Sequence, residues 1–209
     1  MLNQQQIGAI FERGNNFVRM GNLAQAVKDY DQVLEHWPEF APAYFNRAFA
    51  RQHGYGDLPG AIRDYTRALQ LKPDFAEAYA NRGIAHHQNE DYLAALADYD
   101  AALELDPESA PARYNRGEVH FLRGDFPAAL ADFQRARELR SGYSHAIAGA
   151  AIAAYRSGDA AAAKELWSDL LARDGGFKDA VYVANSLNWD APLADAAGEI
   201  IAALEEPSD

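Results

Sequence analysis

Pro38, Pro73 and Pro107 each close a block that ends in an apolar run. A second series, Gly21, Gly56, Glu90, Gly124 and Gly158, keeps nearly the same step, at intervals of 35, 34, 34 and 34 residues. A period in that range marks stacked supersecondary units, each too small to bury its own apolar face, rather than one globular core. It moves the question from chemistry to binding.

Aligned on that step, the second to fourth blocks read AYFNRAFARQHGYGDLPGAIRDYTRALQLKP, AYANRGIAHHQNEDYLAALADYDAALELDP and ARYNRGEVHFLRGDFPAALADFQRARELRS. The first block is a looser spelling, and a fifth keeps Gly158-Asp159 and places Trp167 in the aromatic slot. Each block holds two apolar-periodic segments long enough for about three helical turns. Between them a Gly-Asp or Gly-Asn step ends one helix on a left-handed residue, and Asn22, Asp57, Asp91, Asp125 and Asp159 are placed to cap the next. Pro73 and Pro107 stop the second helix, because proline cannot continue the hydrogen-bond ladder. Pro42 and Pro111 fall in the opening turn of the following one, where the missing amide costs nothing. The expected unit is an antiparallel helix hairpin.

This spelling resembles the tetratricopeptide repeat family. The residues that carry the resemblance are Tyr79, Gly83, Ala95, Tyr99, Ala102 and Pro107 in the third block, with Gly117, Ala129, Phe133 and Ala136 in the fourth. It covers about residues 7 to 175. The departures are Ser141 for the closing proline, Glu90 for the turn glycine, and one residue inserted near Gly54-Tyr55. The resemblance implies an all-α, right-handed solenoid over residues 1–209 as one domain, with repeats at about 7–40, 41–75, 76–109, 110–143 and 144–177. After Phe177 the pattern decays. Residues 178–205, with a turn at Asn188-Trp189-Asp190, read as a degenerate sixth unit capping the stack, and 206–209 as a polar tail.

Charge and composition narrow the function. A net charge of −12 argues against a binder of phosphate backbones, which needs clustered Lys and Arg, and suits solubility and a basic partner. The absence of cysteine removes disulfides, thiolate metal sites and Cys nucleophiles together. The opening MLNQQQIGAIFERGNN has neither the basic stretch nor the apolar run of a signal peptide, and no segment is apolar for long enough to span a bilayer. The expectation is a cytoplasmic protein without membrane insertion.

In the resembling family the first helix of each unit lines a concave groove. Asn46, Asn81 and Asn115 hold one equivalent slot there, accompanied by Asn15, Phe45, Phe49, Ile84, His87, Tyr114, Glu118, Phe121, Ile152 and Tyr155, with Phe11 and Val18 from the first unit. A ladder of side-chain amides can pair with an extended peptide backbone, each bond contributing about 0.5–1.5 kcal/mol, while flanking aromatics supply apolar contact. The competing reading is that the asparagines tie adjacent helices together and the aromatics are core. Some members of the family grip chaperone C-termini with a Lys-Asn-Asn-Lys-Arg set. The matching slots here hold Phe11, Asn15, Asn46, Glu77 and Asn81, without a cation, so that clamp is not expected. Glu77 reads locally as part of a capping box begun by Asp74.

A second ladder reads as structural. Arg13, Arg47, Arg82 and Arg116 share one slot, Asp29, Asp64, Asp98 and Asp132 another, and the fifth block loses both together, to Ala150 and Leu166. Joint loss points to an ion pair between the two helices of a unit. His86-His87 suits metal chelation poorly, because adjacent helical residues diverge by about 100°. The run Gly54 to Gly60 lacks the strand and the Lys-Ser/Thr ending of a phosphate loop. No residue set has the types and spacing of a catalytic site. The expectation is a non-enzymatic module, without cofactor or metal, holding a neutral, apolar or basic segment of a partner protein and not nucleic acid. The alternatives are a self-assembling scaffold, hence a homo-oligomer, or an accessory subunit of an enzyme.

Overall fold

The Gly-Asp steps and prolines punctuate the chain into helices as the repeat requires. The structure, a computed structural model, describes residues 3–187, 189 and 191–205. Asn188 and Asp190 of the expected turn, and the tail 206–209, lie outside the described residues. The described residues are helical throughout, without a strand, and fall into two compact units, Met1–Pro107 and Glu108–Asp209. The first holds α1 (Gln4–Arg19), α2 (Leu23–His36), α3 (Ala41–Tyr55), α4 (Leu58–Leu71), α5 (Ala76–Gln88) and α6 (Tyr92–Leu105). The second holds α7 (Ala110–Leu122), α8 (Phe126–Leu139), α9 (Ser144–Arg156), α10 (Ala160–Arg173), a 3₁₀ turn (Gly175–Lys178), α11 (Ala180–Leu187) and α12 (Ala191–Glu205).

All five expected caps form. The side chains of Asn22, Asp57, Asp91, Asp125 and Asp159 accept from the backbone N–H three residues on, at 2.9–3.4 Å. Four of the five preceding residues are glycines with φ between 63° and 88°. Glu90, in the same slot, is forced to φ 59°, a left-handed conformation that its Cβ opposes. The capping box expected at Asp74 and Glu77 does not form. Phe75 is the residue before α5 and contributes no side-chain cap, which leaves Asp74 one position too early. The Gly54–Gly60 run is the end of α3 and the turn into α4.

Within the first unit, α1 pairs with α2, α3 with α4 and α5 with α6. Each second helix also packs on the next first helix, while α1 meets α3 and α3 meets α5 directly. The first helices therefore share an inner face. Small residues let the hairpins close: a Cβ on Gly14 would stand 2.7 Å from the Tyr30 ring, and one on Gly83 2.8 Å from that of Tyr99. Those tyrosines, with Tyr65 in the repeat between them, have no exposed surface.

The paired Arg and Asp slots meet. Arg13 holds Asp29 through Nε and Nη2 at 2.8 and 2.7 Å, Arg47 holds Asp64 at 2.8 and 2.6 Å, and Arg82 holds Asp98 at 2.8 and 2.6 Å. In the second unit Arg116 holds Asp132 at 2.7 Å twice. All four aspartates are buried. Two of the arginines reach further: Arg47 also donates to Asp31 of α2, and Arg82 to Thr66 of α4, so these two ion pairs also join consecutive hairpins of the first unit. In the fifth repeat Ala150 and Leu166 fill the two slots as buried apolar residues.

The second unit ends differently from a stacked sixth hairpin. α11 is only eight residues long, and the 3₁₀ turn, not α11, packs on α10, with the Trp167 indole donating to the Phe177 carbonyl at 3.1 Å. α12 then crosses back over α9 and touches α7 and α10. The segment expected to stack at the end of the array lies instead on the first helices of the fourth and fifth repeats.

Candidate functional site

The two units treat their inner faces in opposite ways. In the first, α1 and α3 leave an open pocket of about 210 Å³ lined by Glu12, Asn15, Val18, Arg19, Tyr30, Asn46 and Phe49. Asn15 is its organising group. Its Oδ1 accepts both the Tyr30 hydroxyl at 2.9 Å and Asn46 Nδ2 at 2.8 Å, so one amide oxygen joins α1, α2 and α3. Burial pushes the Tyr30 phenol up to about 12, against the pull of the neighbouring Asn46 amide, so it stays a neutral hydrogen-bond donor at any physiological pH.

Farther along this face, Asn81 turns its Nδ2 onto the Glu77 carbonyl of its own helix at 2.8 Å. Asn15 and Asn46 thus tie α1 to α3, whereas Asn81 bonds within its own helix. Between α3 and α5 the tie is made by residues that the repeat pattern did not single out. Gln52 Nε2 donates to Gln88 Oε1 at 2.8 Å, and the Tyr65 hydroxyl donates to Gln52 Oε1 at 3.1 Å. The signal available was chemical: Gln52 is a polar residue on the buried side of a helix facing an aromatic slot.

Of the remaining first-unit candidates, Phe49 stacks on His53 with centroids 4.3 Å apart and stays half-buried at the pocket wall. Phe45 belongs to the core instead, against Tyr65 at 5.7 Å and Phe75 at 4.7 Å. Phe11 likewise packs between Tyr30 and Phe40. Ile84 and His87 are half-buried on α5, the His87 ring 5.9 Å from Tyr92. His86 instead faces Asp98 at 3.9 Å, so the adjacent imidazoles diverge.

In the second unit the face is covered. Tyr114, Phe121 and Ile152, expected to line an open groove, are buried at 5%, 4% and 0% exposure. The cause is the C-terminal segment. Trp189 donates its indole N–H to the Tyr114 hydroxyl at 2.5 Å, and that hydroxyl donates to Glu118 at 2.6 Å. Leu193, Ala196, Ala197 and Ile200 of α12 lie buried in one core with α7 and α9. Arg156 closes the rim on Glu199 at 3.1 Å. Tyr155 and Glu118 remain half-buried, as does Asn115.

Electrostatics follow from that covering. Burial, reinforced by Glu118, holds the Tyr114 phenol well above its ordinary value. The Tyr143 phenol is pushed up to about 12 by burial and the same carboxylate. His145 is shifted the other way, chiefly by burial and then by the charge of Arg140, while a bond to the Leu187 backbone partly opposes the shift. Its ring stands edge-on to Tyr114 at 5.7 Å.

Comparison with known proteins agrees with the helical-repeat fold. A tetratricopeptide repeat family model matches residues 11–50 and 88–144, and a second TPR repeat model matches 55–90. Among solved structures, the type IV pilus biogenesis factor PilW superposes with a TM-score of 0.72 at 23% identity, covering 98% of this chain and 94% of its own. YrrB, described as a TPR protein with an unusual peptide-binding site, gives 0.71 at 19% identity, covering 91% and 90%. The MamA protein gives 0.74 at 20%, covering 81% and 92%. No curated protein matches the sequence.

Proposed function

The chain belongs to the tetratricopeptide repeat family, and from that premise we propose that it is a non-enzymatic interaction module holding a peptide segment of a partner protein on the inner face of its first unit. The observation that carries this reading is the open pocket between α1 and α3, in which polar amides at Asn15 and Asn46 stand beside the apolar wall of Val18 and Phe49. A peptide backbone needs hydrogen-bond partners and its side chains need apolar contact; the pocket offers both. YrrB carries a peptide-binding site on the same fold, which adds support by analogy.

Charge selects the ligand. A TPR domain of RPAP3, similar over 58% of this chain at 24% identity and a TM-score of 0.56, is bound to the HSP90 peptide SRMEEVD, which ends in acidic residues. Here Glu12 lines the pocket with Arg19 as its one cation, and Glu77 stands exposed on α5. A neutral, apolar or basic segment therefore fits better than an acidic one.

The test is a random-peptide selection on the whole chain, followed by anisotropy titration of the enriched peptides. Phe49→Ala and Asn46→Ala should each weaken binding at least tenfold with unchanged helicity. Equal affinity for both variants and the wild type would move the site off this face.

A further inference from the structure

We propose that the end face of α1, the side that no described helix covers, docks an acidic amphipathic helix of a partner protein, and that Arg13 grips its carboxylate as Arg47 grips Asp31. This face is distinct from the pocket between α1 and α3, whose lining includes neither Ala9 nor Arg13.

The later repeats supply the template. Ala43 and Ala78, with Ala146 in the second unit, hold one slot on α3, α5 and α9; each of these helices packs on the second helix before it, and all three alanines are 0% exposed. Four residues on, Arg47 and Arg82 send Nη1 across to that preceding helix, onto Asp31 of α2 at 2.7 Å and Thr66 of α4 at 3.0 Å. Apolar contacts flank the polar one. Leu34, three residues after Asp31, shares a cluster with Ala43, and Val27, four before it, packs against Ala50 and its neighbours. Ile62 holds the place of Val27 in the next repeat, against the cluster of Ala85.

On α1 the same slots stand uncovered. Ala9 is exposed in the place of Ala43. Arg13 bonds Asp29 through Nε and Nη2, and its Nη1 has no acceptor among the described residues. Its side chain is 57% exposed, against 15% for Arg47 and 19% for Arg82. A face that only meets water tends to turn polar in such arrays. α10 does so, with Lys164 and Ser168 where α2 has Val27 and Asp31. α1 instead keeps Ile10 and Phe17 half-buried on this stripe and ends it on Met20, which is 78% exposed.

Charge selects the occupant. The stripe Gln6, Ala9, Ile10, Arg13, Asn16 and Met20 carries a cation and no carboxylate. Two copies laid face to face on it would bring both Arg13 residues to one seam, and a head-to-tail copy would offer Lys164 and Ser168; neither supplies the missing acid. A partner helix supplies it with an Asp or Glu that follows an apolar residue by four positions and precedes a leucine by three, the spacing of Val27, Asp31 and Leu34.

The experiment titrates a fluorescent peptide of residues 22–37 into the full-length chain. A lactam between Lys28 and Ala24→Glu holds the peptide helical, and Tyr30→Gln keeps its opposite face soluble. Saturable binding is expected, about fivefold weaker when the peptide carries Asp31→Asn. Binding should be lost in an Ala9→Glu chain, whose change lies at an exposed helix position. In an Arg13→Gln chain the difference between the two peptides should vanish; should that variant not fold, Ala9→Glu decides. Phe49→Ala should bind the peptide as the wild type does, which separates this face from the pocket between α1 and α3. Absence of saturable binding to the wild type, or equal binding by Ala9→Glu, overturns the proposal. A full-length dimer dissolved by the peptide would identify a second copy as the occupant and overturn the partner assignment.

Discussion

Arg82 grips Asp98 with two parallel hydrogen bonds, at 2.8 and 2.6 Å, and the aspartate beneath it is almost fully buried. The same fork recurs in the first four repeats, and in the fifth a buried Ala150–Leu166 pair replaces it. The chain has thus already exchanged the ion pair for an apolar contact within its own stack.

That exchange sets the first prediction. Arg82→Ala strips the buried Asp98 carboxylate of both guanidinium bonds, leaving only His86 at 3.9 Å, and should cost toward the lower end of about 3–5 kcal/mol, because the arginine itself is partly exposed. The double change Arg82→Ala with Asp98→Leu, copying the fifth repeat, should recover most of that loss. Urea denaturation of the two variants measures the difference. A double variant no more stable than the single one would show that the pair, and not its burial, holds the hairpin.

The repeat spelling made most of this fold legible. Glycine steps, Asx caps and joint loss of Arg and Asp are local, periodic signals, and each appears in the structure where the period puts it. The end of the chain was not legible, because one turn cannot tell a stacking helix from a returning one. What decides is that α11 is too short to cover α10, and that Trp189 finds the Tyr114 hydroxyl 75 residues away. The inner-face candidates divide for the same reason. Asn15, Asn46 and Phe49 line an open pocket, whereas Tyr114, Phe121 and Ile152 are covered by a segment whose destination no spacing reveals.

Asn15 and Asn81 occupy the same face but should respond differently to truncation. Asn15→Ala removes the acceptor of the fully buried Tyr30 hydroxyl and should cost about 1–3 kcal/mol. Asn81→Ala frees only a carbonyl on its own helix and should stay within about 0.5 kcal/mol. Thermal melts of both variants check this. An equal loss for both would mean that Asn81 also supports the stack.

Glu90 stores backbone strain in the one turn slot that lacks glycine, at φ 59°. Its amide bond to the His87 carbonyl is independent of the side chain, so Glu90→Gly relieves the Cβ clash and keeps the turn. A gain of about 1 kcal/mol is expected, less the extra entropy of an unfolded glycine. A lowered midpoint in urea would show that the carboxylate contributes more than the strain costs.

His145 makes the second unit sensitive to acid. Burial and the charge of Arg140 hold its pKa below the ordinary histidine value, so the folded chain keeps the ring neutral while the unfolded chain protonates normally. Between those two values the unfolded state binds more protons, so stability rises with pH and is lost as the pH is lowered. The contribution is therefore complete above about pH 6.5 and is lost as the pH drops through the folded value. Because the ring bonds the Leu187 backbone and abuts Tyr114, its protonation strains the place where the C-terminal segment enters. His53 shifts in the same direction by burial and belongs to the first unit, so His53→Gln serves as the control. Urea midpoints at pH 7.5 and 5.5 should differ for the wild type and less so for His145→Gln. Amides of α12 should lose protection at pH 5.5 in the wild type and keep it in that variant. An unchanged acid loss in His145→Gln would place the titrating group elsewhere.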